Sequence, residues 1–115
     1  MITERVGDTG TQTIVDNALR ITGCLYERDA LRMTPARIPV LSFKLRHQSV
    51  QRELEVERNV SCELSVMAMG PLAQQLAATP LGVLMVVEGF LTARSLKNQN
   101  PVLHVQKYEL LAQAQ

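Results

Sequence analysis

The chain has 115 residues, 46% of them hydrophobic and 20% charged, with a formal charge of +1. That is the size of one domain able to bury its own core, and the composition excludes a disordered or collagen-like chain. The longest apolar run, Pro80 to Phe90, carries Glu88 and falls well short of a membrane span, which takes roughly 20 residues.

The chain opens MITERVGDTGTQT, a polar stretch without the features of an export signal. The expectation is a soluble, cytoplasmic protein with no membrane partner. Residues 1–16 carry no period and are rich in Thr, Gly and Asp, which predicts a flexible tail ahead of one folded domain over 17–115. In Asn17–Tyr26, Leu19, Ile21, Gly23 and Leu25 alternate with Ala18, Arg20, Thr22 and Cys24, a strand pattern with a bend or bulge expected at Gly23. Pro35 and Pro39 make 28–39 a loop. Pro39–Gln51 is the clearest strand: Leu41, Phe43 and Leu45 face one way, Ser42, Lys44 and Arg46 the other. The charged run Gln51–Arg58 would suit a short helix but reads better as a hairpin tip or loop. In Asn59–Met69, Val60, Cys62, Leu64 and Val66 alternate with Ser61, Glu63 and Ser65.

Gly70-Pro71 ends that strand and starts a helix over Pro71–Thr79, because proline suits a first helical turn. Pro80 and Gly82 stop it. Val83–Ser95 is apolar on both faces in its first half, as a central strand would be, and Gly89 predicts a bend. Leu96–Pro101 is a polar turn, and Val102–Ala112 alternates again. The order is three strands, one helix, two strands. It describes an all-β fold, a five-stranded OB-fold barrel with one short helix between strands three and four. An unrelated small barrel or an α+β sandwich would share this order, whereas a parallel α/β fold needs more helices.

Enzyme signatures are absent: no GxxxxGK[ST], GxGxxG or GxSxG occurs, and His47 and His104 sit alone on separate strands. The expectation is that the chain is not an enzyme. Cys24 and Cys62 lie 38 residues apart with no CxxC, so no zinc site is expected and both read as small buried hydrophobes. The sequence calls for no metal and no cofactor.

The charge is unevenly placed. Residues 17–115 hold 11 basic and 8 acidic side chains, an excess of three cations. Lys44 and Arg46 occupy the non-core face of the second strand. Arg28, Arg32 and Arg37 lie in the loop after the first, and Arg94 and Lys97 in and after the fourth. An OB barrel binds single strands with these same elements; the competing account is ordinary solubility charge. Of the four aromatics, Phe43 alternates with the core set and Phe90 suits the core. Tyr26 is the better exposed candidate for stacking a base, and Tyr108 suits packing or a subunit contact. With so few aromatics, binding would lean on charge and weaken with salt.

The segments NALRITGCLYERDALRMTPARIPVLSFKLRHQS, CELSVMAMG and VVEGFLTARSLKNQNPVLHVQKYEL, in this order, resemble the bacterial primosomal replication protein N family, dimeric relatives of the single-stranded DNA-binding proteins. The likeness covers about residues 17–112, with Arg37-Ile38-Pro39 in place of a Gly-Ile-Pro element and Glu88-Gly89-Phe90 at the strand-four turn. It implies a homodimer that binds single-stranded DNA, stabilises a replication-restart helicase and helps hand it to later primosome proteins. It also implies DNA contacts on the strand two–three face and the loop after strand four, with Lys97 and Arg32 at basic positions of the family; together with Lys44, Arg46 and Arg94, read from the groove elements above, these are the candidate contacts. Where the family carries two aromatics, this chain has Ser61 and, near the hairpin tip, Val56; where it has a basic loop residue, this chain has Ser95. The second function class is therefore a protein-interaction module that docks the helicase and binds DNA weakly.

Overall fold

The computed structural model describes residues 14–113. The elements are β1 (Leu19–Arg28), β2 (Arg32–Met33), β3 (Pro39–Glu53), β4 (Val56–Met69), α1 (Pro71–Ala77), β5 (Val83–Ala93) and β6 (Pro101–Gln113). The five long strands and the helix take the predicted order, and the two-residue β2 is added inside the expected first loop. The sheet runs β1-β5-β6-β4-β3-β2, and β1 also pairs with β3, so the strands close into a ring. Every pairing is antiparallel except β4 with β6, which is parallel and consists of Val66 opposite Leu103 and Met67 opposite His104.

The alternating residues fill the ring. Leu25, Leu41, Phe43, Leu45, Val66, Met85, Val87 and Leu103 are buried in one cluster, joined by Ala73 and Leu76 of the helix. Each large side chain so buried stabilises the fold by about 1.5–3 kcal/mol. The helix starts at Gly70, whose φ of 71° only glycine adopts freely, and Pro71 follows at its first turn. Its other end is held by Arg28, whose Nη1 donates to the Leu76 carbonyl at 3.0 Å and to the Thr79 carbonyl. A cation suits the negative end of a helix. Arg28 thus serves the helix rather than the basic loop set. Tyr108 packs on the core and donates its hydroxyl to Gln75 Oε1 at 2.8 Å, tying β6 to the helix.

Asn17 fastens the start of the barrel: its side chain donates to the Leu91 carbonyl at 2.8 Å and accepts from the Leu91 N–H at 2.9 Å. Of the expected tail over 1–16, residues 1–13 lie outside the described residues and 14–16 are exposed.

Four sequence expectations need correction. The run Gln51–Arg58 is strand except for Leu54 and Glu55, so β4 begins at Val56, not Asn59. Leu54 and Glu55 have φ of 51° and 64°, a two-residue hairpin turn of the mirror-image kind. Cross-strand pairs Arg58–Glu53 at 3.2 Å and Arg52–Glu57 at 3.9 Å engage both arginines of this arm. Secondly, Cys62 is exposed, because the β3–β4 hairpin has already run past the barrel at that point, and Cys24 is half-buried, opposite Arg46 on the outer face. Thirdly, the first-strand irregularity is not at Gly23, which pairs regularly with Met85, but between Leu25 and Glu27. Fourthly, Phe90 is half-buried on the outer face, while Phe43 is in the core.

Left-handed backbone costs a leucine or glutamate about 1 kcal/mol each. Leu54→Asn with Glu55→Gly should therefore stabilise the protein by about 1 kcal/mol, raising Tm by about 4–8 °C. Thermal unfolding followed by circular dichroism checks this; an unchanged Tm would mean the turn is not under that strain.

Candidate nucleic-acid interface

Strand alternation puts Ser42, Lys44, Arg46 and Gln48 on the outer face of β3. Their partners on β4 are Met67, Ser65, Glu63 and Ser61. The β1 end and the β5–β6 loop flank this face. A cleft of about 80 Å³ between them is lined by Lys44 and Arg94, with Ser42, Ser65 and Met67 beside them and Glu27 and Asp29 from β1 and its following loop. Lys44 and Arg94 are 50 residues apart in sequence, and barrel closure brings them together.

Arg46 is the next outward residue along β3. Its guanidinium lies over the Tyr26 ring, 4.1 Å from the centroid. Its Nη2 is 3.5 Å from Glu63 Oε2. The Leu25–Glu27 irregularity falls at Tyr26, so the ring occupies a break in the β1–β3 register. A hydrogen bond from the Tyr26 hydroxyl holds the Glu63 carboxyl below the usual carboxylate range, with Arg46 adding to the effect. The same bond, together with desolvation, raises the Tyr26 phenol above its ordinary value. Hydrogen bonding favours the charged carboxylate and the neutral phenol, so the two shifts share one cause.

Arg46 is therefore partly neutralised before any ligand arrives. Lys44, Arg94, Arg32 and Lys97 form no ion pair among the described residues. Arg32 is exposed on β2 and Lys97 is exposed in the β5–β6 loop; neither lines the cleft. Of the five predicted cations, the structure brings Lys44 and Arg94 into one cleft, sets Arg46 beside them, and leaves Arg32 and Lys97 on the flanking loops. Sequence reasoning missed Glu63 as the partner of Arg46. It also missed Glu27 and Asp29 in the cleft.

Glu63→Gln should release Arg46 and remove one negative charge from the face. The Tyr26 phenol should then titrate closer to its ordinary value, measurable by ultraviolet absorbance. Affinity for an anionic strand should rise about threefold to tenfold at low salt. A fall in affinity would make Glu63 a contact rather than a competitor.

His47, half-buried, is taken up structurally. Its Nδ1 donates to the Thr22 carbonyl at 2.7 Å, which leaves Nε2, 2.8 Å from Ser49 Oγ, free to accept in the neutral ring. Among the described residues no cluster of three His, Cys, Asp or Glu could hold a metal. Among the described residues no helix is long and apolar enough to cross a membrane.

A closed ring of five long strands, with a helix between the third and fourth of them, defines an OB-fold protein. A family model described as "another single-strand binding protein family" matches residues 17–107. The replication restart protein PriB of Bordetella pertussis is 38% identical over 96 residues, 84% of this chain and 90% of that protein. PriB from Ralstonia solanacearum, a solved structure, superposes with a TM-score of 0.75 at 28% identity, covering 84% of this chain and 98% of that one. The fold is also that of a deletion mutant of the single-stranded DNA binding protein from Thermus aquaticus, with a TM-score of 0.70 at 24% identity over 83% of this chain and 50% of that one. The chain belongs to the PriB family of replication restart proteins, and the sequence resemblance is borne out.

Proposed function

We propose that this protein binds single-stranded DNA as a non-catalytic accessory factor of replication restart, stabilising the restart helicase on DNA and aiding hand-over to later primosome proteins. The observation that carries the reading is the cleft shared by Lys44 and Arg94, in a chain whose family is named for single-strand binding. Arg46 extends the cationic track along β3, while Arg32 and Lys97 are the outlying phosphate contacts. The protein works in the cytoplasm as a homodimer. Leu19–Gly23 of β1 pair with β5 on one side and meet β3 only from Cys24 onward, so one edge stands open to a second copy. Sedimentation at micromolar concentration tests the dimer.

A labelled oligo(dT) titrated by fluorescence anisotropy, at low and high salt and against duplex competitor, tests the binding. Salt-sensitive, single-strand-selective binding supports the reading; no binding at low salt overturns it. One observation favours the second reading, a helicase-docking module with weak DNA affinity. Ser61 and Val56, the positions where the family carries aromatics, are exposed non-aromatic residues here, and Arg46, Arg52 and Arg58 are ion-paired. Stimulation of the helicase without strand binding would select it.

A further inference from the structure

Phe90 and His104 stack on the outer face of the barrel, ring centroids 5.3 Å apart and planes 22° from parallel. They are directly opposed across β5 and β6, and both are half-buried. Gly89 sets up the contact. Its position is so close to β6 that a Cβ would lie 1.8 Å from the His104 carbonyl oxygen, so only glycine lets the strands approach this far.

The stack is continuous with the cleft. Phe90, Thr92 and Arg94 alternate onto one face at the end of β5 and the loop that follows, and Arg94 lines the cleft beside Lys44. Across the sheet, the position next to His104 on that face is Met67 of β4, which also lines the cleft. Phe90, His104 and Met67 thus form a row across three strands, two aromatic rings followed by a thioether. The row ends where the two cations converge.

We propose that the Phe90–His104 stack with Met67 is a nucleobase-stacking site, in which a base laid over Met67 adds a third ring to the stack on the His104 side. A thioether is a favourable neighbour for an aromatic ring, and a base has a π-face whatever its identity. The adjoining Lys44 and Arg94 would hold that nucleotide's phosphates. The site deepens the single-strand-binding reading and rests on it. It supplies the stacking surface that Ser61 and Val56 do not.

The test compares oligo(dT) with an abasic oligonucleotide of the same length and backbone. The parent protein should prefer oligo(dT). His104→Ala should lower the affinity for oligo(dT) about tenfold, leave the abasic strand unaffected, and keep the same salt slope. Phe90→Leu, which retains apolar bulk in β5, should lose part of the preference, and His104→Phe should restore it. Thermal unfolding of each variant separates loss of stacking from loss of fold. If stably folded His104→Ala keeps the full preference for bases, the stacking site is wrong while strand binding stands. If the parent protein binds neither strand, the parent reading fails and this one with it.

Discussion

Replacing Lys44 and Arg94 together by alanine is expected to reduce oligo(dT) affinity roughly 60-fold near 50 mM salt, and to change it little near 1 M. Each phosphate contact on a single strand contributes about 0.7 to the slope of log affinity against log salt. Losing two should flatten that slope by about 1.4. Lys44 and Arg94 are both exposed, so Tm should hold and the loss should be one of charge alone. Arg46→Ala should cost less, because Glu63 already holds that guanidinium at 3.5 Å. Anisotropy titrations at four or five salt concentrations measure the slope directly. An affinity loss with an unchanged slope would mean that the two cations do not touch phosphates.

Gly89→Ala should be the most damaging small substitution in the barrel. The added Cβ would meet the His104 carbonyl oxygen at 1.8 Å and the Val105 Cα at 3.2 Å, both backbone atoms that cannot rotate away. The two strands must separate there, at a point where the β5–β6 register already shifts. Overpacking against side chains costs about 1–3 kcal/mol, and rigid backbone puts this case at the upper end. A loss of about 3 kcal/mol corresponds to a fall in Tm of about 10–20 °C. A Tm within two or three degrees of the parent would mean the strands do not lie this close.

The barrel was legible because its strands keep a strict period of two over long runs. Leu41, Phe43 and Leu45, for example, could only face one way, and Pro71 could only open a helix. The arm from Gln51 to Arg58 was not legible for a physical reason. Both its faces meet water, so no apolar side declares the strand, and its turn is Leu-Glu rather than the Asn-Gly that normally signals left-handed backbone. Missing the turn meant missing the register. Residue numbers of β3–β4 partners add to 109 throughout, as a turn at 54 and 55 requires. That sum opposes Arg46 to Glu63 and Lys44 to Ser65, so knowing the turn would have given the ion pair. Cys62 was misjudged on the same account, since its alternation continues into a segment that nothing covers. The convergence of Lys44 with Arg94, and of His104 with Met67, had no local signal. Both depend on ring closure between distant strands.

The parallel contact that seals the ring has a consequence for how the chain is made. Val66 and Met67 must meet Leu103 and His104, contacts that no hairpin can form early. The β3–β4 hairpin can pair as soon as both strands leave the ribosome, because its contacts are local. Its β4 edge then waits for β6, the last strand described. During that interval the nascent protein is an open sheet with an unsatisfied edge, the state in which chains pair with one another. Charged residues on β4 such as Glu57, Arg58 and Glu63, which lie outside the two positions that β6 covers, make the rest of that edge a poor template for a second strand. The same glutamate that restrains Arg46 in the finished barrel thus helps keep unfinished chains apart.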